Sequence, residues 1–424
     1  VYLSTVDRPP KDRPGRGRRA GPASVGANVL ALGTVSLLTD VSAEMVTAVL
    51  PLYLVLTLHM SPAAYGMVDG LYTGATALLR PVGGFVADRF RRRKPVAAVG
   101  YGVSALAKLG LVAAGSSVPA LGAVIVADRT GKGLRTAPRD ALITLSVPEP
   151  LLGRAFGVHR AMDSAGAFAG PLAALGVLAA VGTVSPAAFD ALFLTSFCVA
   201  AAGLLALAFL VRDDRDKRPP AAPVTLRAAA GLLREASVRR LLYTAGLLGL
   251  ATVGDGFVHL LLMQRHTVTT GWFPLLAVGT NLVYLLLATP LGALADRFGR
   301  RTVLLSGFGA LVAVYLLLGS PMDGMPLAVA VLCCHGAFYA ATDGVLMALA
   351  GPALPAGLRT TGLACVQTVQ ALAYFASSVA FGAAWANWGS TTAAWAAAAA
   401  AAVAATATFT LLPHPTIEKE SVTS

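Results

Sequence analysis

The sequence predicts an all-α integral membrane protein of twelve transmembrane helices in two pseudo-symmetric six-helix bundles. Three observations carry this expectation. Hydrophobic residues fill 56% of 424 positions, charged residues only 13%, and mean hydropathy is +0.70, a balance outside the range of soluble globules. Apolar runs of about 20 residues, enough to span a bilayer as a helix, recur near 27–58, 62–87, 95–114, 118–137, 155–182, 188–211, 240–264, 270–295, 302–319, 326–350, 360–383 and 387–412. The string GFVADRFRRRK, beginning at Gly84 after the second run, returns as GALADRFGRRT at Gly292 after the eighth. An internal repeat at matching places in two sets of six spans divides the chain in two.

Residues 1–25 are rich in Arg, Lys, Pro and Gly and lack the apolar core and small-residue cleavage site of a signal peptide, so they read as a disordered basic tail. The first bundle then occupies 26–211, a charged, proline-containing linker 212–239, the second bundle 240–412, and a second tail 413–424. The net charge of +12 is concentrated between helices, in RFRRRK at 89–94, RDDRDKR at 212–218 and RFGRR at 297–301. The Lys/Arg bias assigns these loops, and with them both termini, to the cytoplasmic side of a multi-pass inner-membrane protein. Its basicity is thus a topology signal, with the lipid bilayer as partner and no nucleic acid expected. The chain is expected to act as a monomer.

The first span contains SLLTDVSAEMV, which sets Asp40 and Glu44 one helical turn apart and on one face. A carboxylate at bilayer depth is expensive unless it faces a cavity or a partner, which makes both functional candidates. The seventh span repeats the spacing in GDGFVH, with Asp255 and His259; pseudo-symmetry would set the two pairs across a central cavity. The fifth span adds His159, Arg160, Met162 and Asp163, and the tenth adds His335, Asp343 and Met347. Oxygen, nitrogen and sulfur donors together suit a borderline divalent metal such as nickel or cobalt, with Asp40, Glu44, His159 and Asp163 as candidate ligands. The same acids and imidazoles can carry a coupling proton. Plainer roles compete: Asp163 as the ion-pair partner of Arg160 or Arg129, and Met45, Met162 and Met347 as core fillers. Cys198, Cys333, Cys334 and Cys365 all fall inside spans and read as small packing residues, the neighbours Cys333 and Cys334 on different faces.

The fourth span, DRTGKGLRTAPRDAL, is unusually charged. Asp128 falls near the midplane, whereas Arg135, Arg139 and Asp140 fall at the cytoplasmic end, where they would lock a gate against the loop around Asp88. Arg129 and Lys132 can bind an anion or serve as counterions to Asp128, Asp163 and Asp40. Asp69 and Arg80 in the second span receive no role. In the fifth span, GAFAGP places Gly166, Gly170 and Pro171 where helices approach closely and one bends.

Gly84, Asp88, Arg89, Arg92 and Arg93, and again Gly292, Asp296, Arg297, Gly299, Arg300 and Arg301, resemble the loop motif of the major facilitator superfamily, with Arg91 where the family has Gly. The resemblance implies parallel halves, a substrate site near the midplane, and a cytoplasmic latch made of Asp–Arg contacts. The Gly166, Gly170, Pro171 placement is similar to the antiporter motif of drug and proton exchangers. TDVSAEM together with GKGLRTAPRDAL resembles a bacterial drug/proton antiporter-like group associated with nickel and cobalt export. The function implied is proton-coupled secondary transport exporting a divalent metal cation. The alternative is a multidrug/proton antiporter for amphiphilic cations, lined by Tyr72, Phe257, Tyr339 and Phe375. An enzyme is not expected, for no nucleophile and base group at one membrane face. Nor is an ATP-driven pump, because G-x-x-x-x-G-K-[ST] is absent. No cofactor is expected; a divalent metal would be cargo.

Overall fold

Hydrocarbon demands that every backbone polar group be satisfied within its own segment, and the chain answers with helices. The computed structural model describes residues 26–90, 93–115, 117–148, 151–182, 184–212, 231, 234–265, 269–354 and 359–412. No β-strand occurs among them. The helices are α1 (Ala27–Leu52, continued by a π-helical turn at Tyr53–Thr57), α2 (Pro62–Phe90), α3 (Arg93–Ala114), α4 (Val118–Leu145), α5 (Leu152–Val181) and α6 (Pro186–Leu210). They are followed by α7 (Ala236–Ala251), α8 (Asp255–Gln264), α9 (Pro274–Phe298), α10 (Arg300–Gly319), α11 (Gly324–Ala353), α12 (Arg359–Trp388) and α13 (Ser390–Leu411).

Among the described residues, 10 segments are long and apolar enough to cross a membrane. Helices α2 and α4, at 29 and 28 residues, have the length but carry more charge. The run 240–264, expected as one helix, is interrupted: α7 stops at Ala251 and α8 starts at Asp255. Local chemistry fixes several other ends. Pro51 removes a backbone donor, and α1 passes into its π-helical turn two residues later. Ser185 accepts the Ala188 N–H at 3.4 Å and Pro186 opens α6. Gly299 precedes α10 with φ of 95°, a left-handed value that favours glycine and accounts for the glycine in the second loop copy.

The chain forms two compact units, one of residues 1–60, 71–221 and 269–278, the other of 61–70, 222–268 and 279–424. Relative to the expected bundles 26–211 and 240–412, residues 61–70 group with the second unit and residues 269–278 with the first. Within the first unit, α1 packs on α5 and α6, and α3 packs on α4 and α6. Within the second, α7 packs on α12 and α13, and α10 packs on α11 and α13. The packing scheme therefore repeats along with the loop string. In the first unit Val29, Leu32 and Val35 of α1 share an apolar core with Tyr101, Leu142, Ile143 and Leu207.

Gly166 and Gly170 let α5 lie directly on α1. A Cβ at Gly166 would sit 2.6 Å from the Leu37 carbonyl oxygen, and one at Gly170 would sit 2.6 Å from Glu44 Cβ and 2.8 Å from the Val41 carbonyl oxygen. The cysteines depart from expectation: Cys198 and Cys333 are exposed on their helices instead of packed, and all four thiols are free. The contact at Gly170 predicts that Gly170→Val forces α5 off α1 at a cost of about 1–3 kcal/mol. Its thermal unfolding midpoint in detergent falls below that of the unaltered protein; an unchanged midpoint would refute the close contact.

Candidate functional site

The first unit gathers its charges on α4. Lys108 reaches from α3 to Asp128 Oδ1 at 2.5 Å, and the Arg129 guanidinium binds Asp128 Oδ2. Ser104 donates to the Asp128 carbonyl oxygen at 3.0 Å. Arg129 also lies over the Tyr72 ring, 3.6 Å from its centroid, and the Tyr72 and Thr47 hydroxyls are 2.5 Å apart. Asp128 is thus held by two cations on opposite oxygens. Arg129, for which sequence left anion binding open, is one of its counterions.

Asp40 is held differently. Its nearest cationic partner is Arg135 at 3.8 Å, too long for a hydrogen bond, and its side chain keeps 20% of its surface open. Lys132 and Arg139 are further electrostatic neighbours. Glu44, one turn on, lies against Gly170 and has Arg129 and Lys132 as electrostatic neighbours. Asp40 and Glu44 therefore face a row of basic residues from α4, and a small polar cavity lies beside Thr39, Ser42, Lys108, Asp128, Lys132 and Arg135.

Arg135 and Arg139 point into the unit, and the loop around Asp88 that they were expected to lock against has no described side chains. Arg135 lies over the Tyr101 ring at 4.6 Å, while Arg139 pairs with Asp140 at 2.9 Å and donates to Ser36 Oγ at 3.2 Å. In α5, Asp163 lies 3.5 Å from His159 Nε2 and 3.8 Å from Arg160, so the structural pair with Arg160 is present. His159 is buried and neither ring nitrogen makes a hydrogen bond. Met45 is fully buried and Met162 Sδ lies against Gly33, as core fillers do.

Among the described residues, no three His, Cys, Asp or Glu side chains form a group able to hold a metal ion. Asp40, Glu44, His159 and Asp163, the nickel or cobalt ligands that sequence suggested, do not form such a group here: Asp163 turns to His159 and Arg160, while Asp40 lies 3.8 Å from Arg135.

In the second unit the break between α7 and α8 creates the site. Tyr315 of α10 bridges it: its hydroxyl accepts the Val253 N–H at 2.8 Å and donates to the Ala251 carbonyl at 2.9 Å. Asp255 is the first residue of α8 and accepts a hydrogen bond from the Tyr339 hydroxyl. His335 Nε2 lies 3.5 Å from the same Asp255 oxygen, although neither nitrogen of His335 has a hydrogen-bond partner. His259 Nε2 is 3.5 Å from Thr280 Oγ1, and its ring meets that of His335 edge-on at 6.3 Å. Asp69, unassigned from sequence, joins this group. Its Oδ2 lies against Gly254 and accepts from Ser378 Oγ at 2.8 Å and Tyr374 at 3.3 Å, while Oδ1 faces the Tyr65 hydroxyl at 3.4 Å.

Asp343 lies elsewhere on α11, 3.5 Å from the Tyr284 hydroxyl, and Met347 Sδ is 3.8 Å from Gln367 Nε2. Phe257, expected in a cargo lining, is fully buried among Tyr65, Phe381 and Trp385. Of the gate candidates, Asp296 pairs with Arg300 at 3.7 Å within one turn, Arg297 lies over Phe298, and a Cβ at Gly292 would meet open space. The side chains of Arg80, Asp88 and Arg89, the surroundings of Gly84, and all of Arg92 lie outside the described residues.

A sequence profile of the Major Facilitator Superfamily matches residues 32–279 and 261–424. A transporter of the MFS type, uncharacterized, from Methanocaldococcus jannaschii is 28% identical over 365 residues, covering 84% of this chain and 88% of the relative. An uncharacterized protein of Mycobacterium tuberculosis is 32% identical over 287 residues, covering 65% and 67%. Among solved structures, a nucleoside transporter superposes with a TM-score of 0.78 at 16% identity, covering 91% of this chain and 100% of its own. A D-xylose–proton symporter superposes at 0.71 and 17% identity, covering 91% and 98%. At such identities these structures show a shared fold.

The two modes of charge compensation make separable predictions. Asp128→Ala strands Lys108 and Arg129 in a buried position and lowers stability by about 3–5 kcal/mol. Asp40→Asn lowers it far less, because Asp40 is partly open and loosely paired; equal losses in thermal unfolding would erase the distinction. Tyr315→Phe leaves the Val253 N–H without its acceptor at the helix break and costs about 1–3 kcal/mol, also read as thermal unfolding.

Proposed function

Because the chain belongs to the Major Facilitator Superfamily, we propose that it is a proton-coupled secondary active exporter whose cargo is a cation, and that this cation is an amphiphilic organic compound in preference to nickel or cobalt. The observation that carries the reading is the loose pairing of Asp40. A carboxylate 3.8 Å from Arg135, with 20% of its side chain open, can exchange that partner for a cargo cation or a proton. Asp128, clamped by Lys108 and Arg129, cannot do so without stranding both.

Competition of cargo and proton for one carboxylate couples their movements. Cargo entering from the cytoplasm takes Asp40, a proton arriving from outside neutralises the acid and releases the cargo, and the carrier resets. His159 and Asp163 lie one helix away on α5 as candidate stations for the proton. An organic cation is favoured over a metal because the acids are set among arginines and tyrosines, and among the described residues no three metal-binding side chains form one group. A hydrated divalent ion needs several such donors, whereas an organic cation needs one charge and apolar contact. The Lys/Arg-rich loops and both termini face the cytoplasm in this reading.

The test is retention of ethidium, and in parallel of nickel and cobalt, by cells expressing the intact protein, Asp40→Asn, or neither. Ethidium retention falls only with the intact protein and is restored by collapsing the proton gradient. Lower retention of nickel or cobalt with unaltered ethidium would replace the organic cation by a metal. Equal retention of all three compounds in all cells, with expression verified, would defeat cation export.

A further inference from the structure

Two carboxylates of the second unit, Asp69 and Asp255, meet at the break between α7 and α8, and among the described residues no lysine or arginine pairs with either. Among the described residues Asp69 accepts from Ser378, Tyr374 and Tyr65, and Asp255 accepts from Tyr339. They are electrostatic neighbours: Asp69 Oδ2 rests against Gly254, the residue before Asp255. The titratable groups facing the pair are Tyr65 of α2, Tyr315 of α10, Tyr339 and His335 of α11, Tyr374 of α12 and His259 of α8. No permanent cation stands among them. Asp255 keeps 49% of its side-chain surface open, which gives an exchanging ion a way in.

Neutral hydroxyl donors and the start of α8 stabilise negative charge without cancelling it. A helix N-terminus carries roughly half a positive charge. That can balance one carboxylate in part but not two, and two carboxylates sharing one site do not both ionise readily. A second, independent feature points to a mobile ion. His335 has 0% of its surface exposed, neither ring nitrogen has a hydrogen-bond partner, and Nε2 is aimed at Asp255 Oδ1 from 3.5 Å. A fully buried imidazole left without a hydrogen bond is costly unless it gains a partner in another protonation state.

We propose that Asp69 and Asp255 hold one proton between them, with His335 as the buried group that exchanges it, forming a proton-binding site in the second unit separate from the Asp40 cluster. Binding takes a proton from water onto one carboxylate oxygen and leaves the pair with a single negative charge, met by the start of α8 and the hydroxyls. Loss of that proton leaves two charges, which His335 can offset by taking up a proton itself. The use of this proton in transport rests on the exchange mechanism proposed above; its presence does not.

Infrared difference spectroscopy of the purified, reconstituted protein labelled with 13C-aspartate reads the proton directly. At neutral pH the intact protein shows a protonated aspartic-acid carbonyl band that disappears as pH is raised. Asp69→Asn and Asp255→Asn each abolish it, because a lone acid in either place ionises, and Asp296→Asn, at an exposed side chain, leaves it unchanged. Absence of the band in the intact protein overturns the site whether or not the variants fold. Loss with only one variant puts the proton on a single acid and overturns the pair, and a band that yields to added sodium at constant pH replaces the proton by a metal cation. If the band follows the expected pattern while cargo export ignores the proton gradient, the exchange mechanism fails and the site stands.

Discussion

Charge buried in a poorly polarisable interior has to be balanced where it sits, and most of this molecule's chemistry follows from the two ways it does so. In the first unit permanent cations of α3 and α4 stand opposite carboxylates. Lys108 and Arg129 clamp Asp128, and Arg135, Lys132 and Arg139 surround Asp40. In the second unit tyrosine and serine hydroxyls and the start of a short helix stand opposite Asp69 and Asp255. Permanent cations give a fixed structure with one exchangeable member. Neutral donors leave a deficit of positive charge, which the proposed proton would fill.

Helix packing decides which acids belong to which class. Gly166 and Gly170 bring α5 onto α1 at the level of Asp40 and Glu44, so these acids lie at a close helix contact and not on a lipid-facing surface. The break between α7 and α8 does the corresponding work in the second unit. It frees backbone groups that Tyr315 satisfies, and it turns Asp255 from a mid-helix residue into the first residue of a new helix. Interrupted helices are a recurring way to build ion sites at membrane depth, because their ends supply partial charges that a continuous helix hides.

Much of the fold could be read from sequence because membrane helices announce themselves by length and hydropathy, and because the loop string at Gly84 and Gly292 marks the repeat. The spacing that flagged Asp40, Glu44, Asp255 and His259 was informative for the same reason: polar residues inside apolar runs stand out. Three-dimensional partnership was not legible. The contacts of Arg135 and Arg139 with Asp40, Tyr101 and Ser36 could not be read from their position along α4. Asp69 had no periodic partner on its own helix, so its link to Ser378 and Tyr374, more than three hundred positions away, left no local trace. The glycines around Asp255, in TVGDG, were the one sequence signal for the helix break.

The central claim is that a cation and protons move in exchange through carboxylates. It is tested most directly by following internal pH with a trapped dye in liposomes containing the purified protein while ethidium is added outside, with protein-free liposomes giving the passive rate. The account predicts that protein-dependent inward movement of the cation expels protons and raises internal pH, and that Asp40→Asn abolishes both. Protein-dependent ethidium entry without any pH change, in liposomes tight to protons, would contradict it.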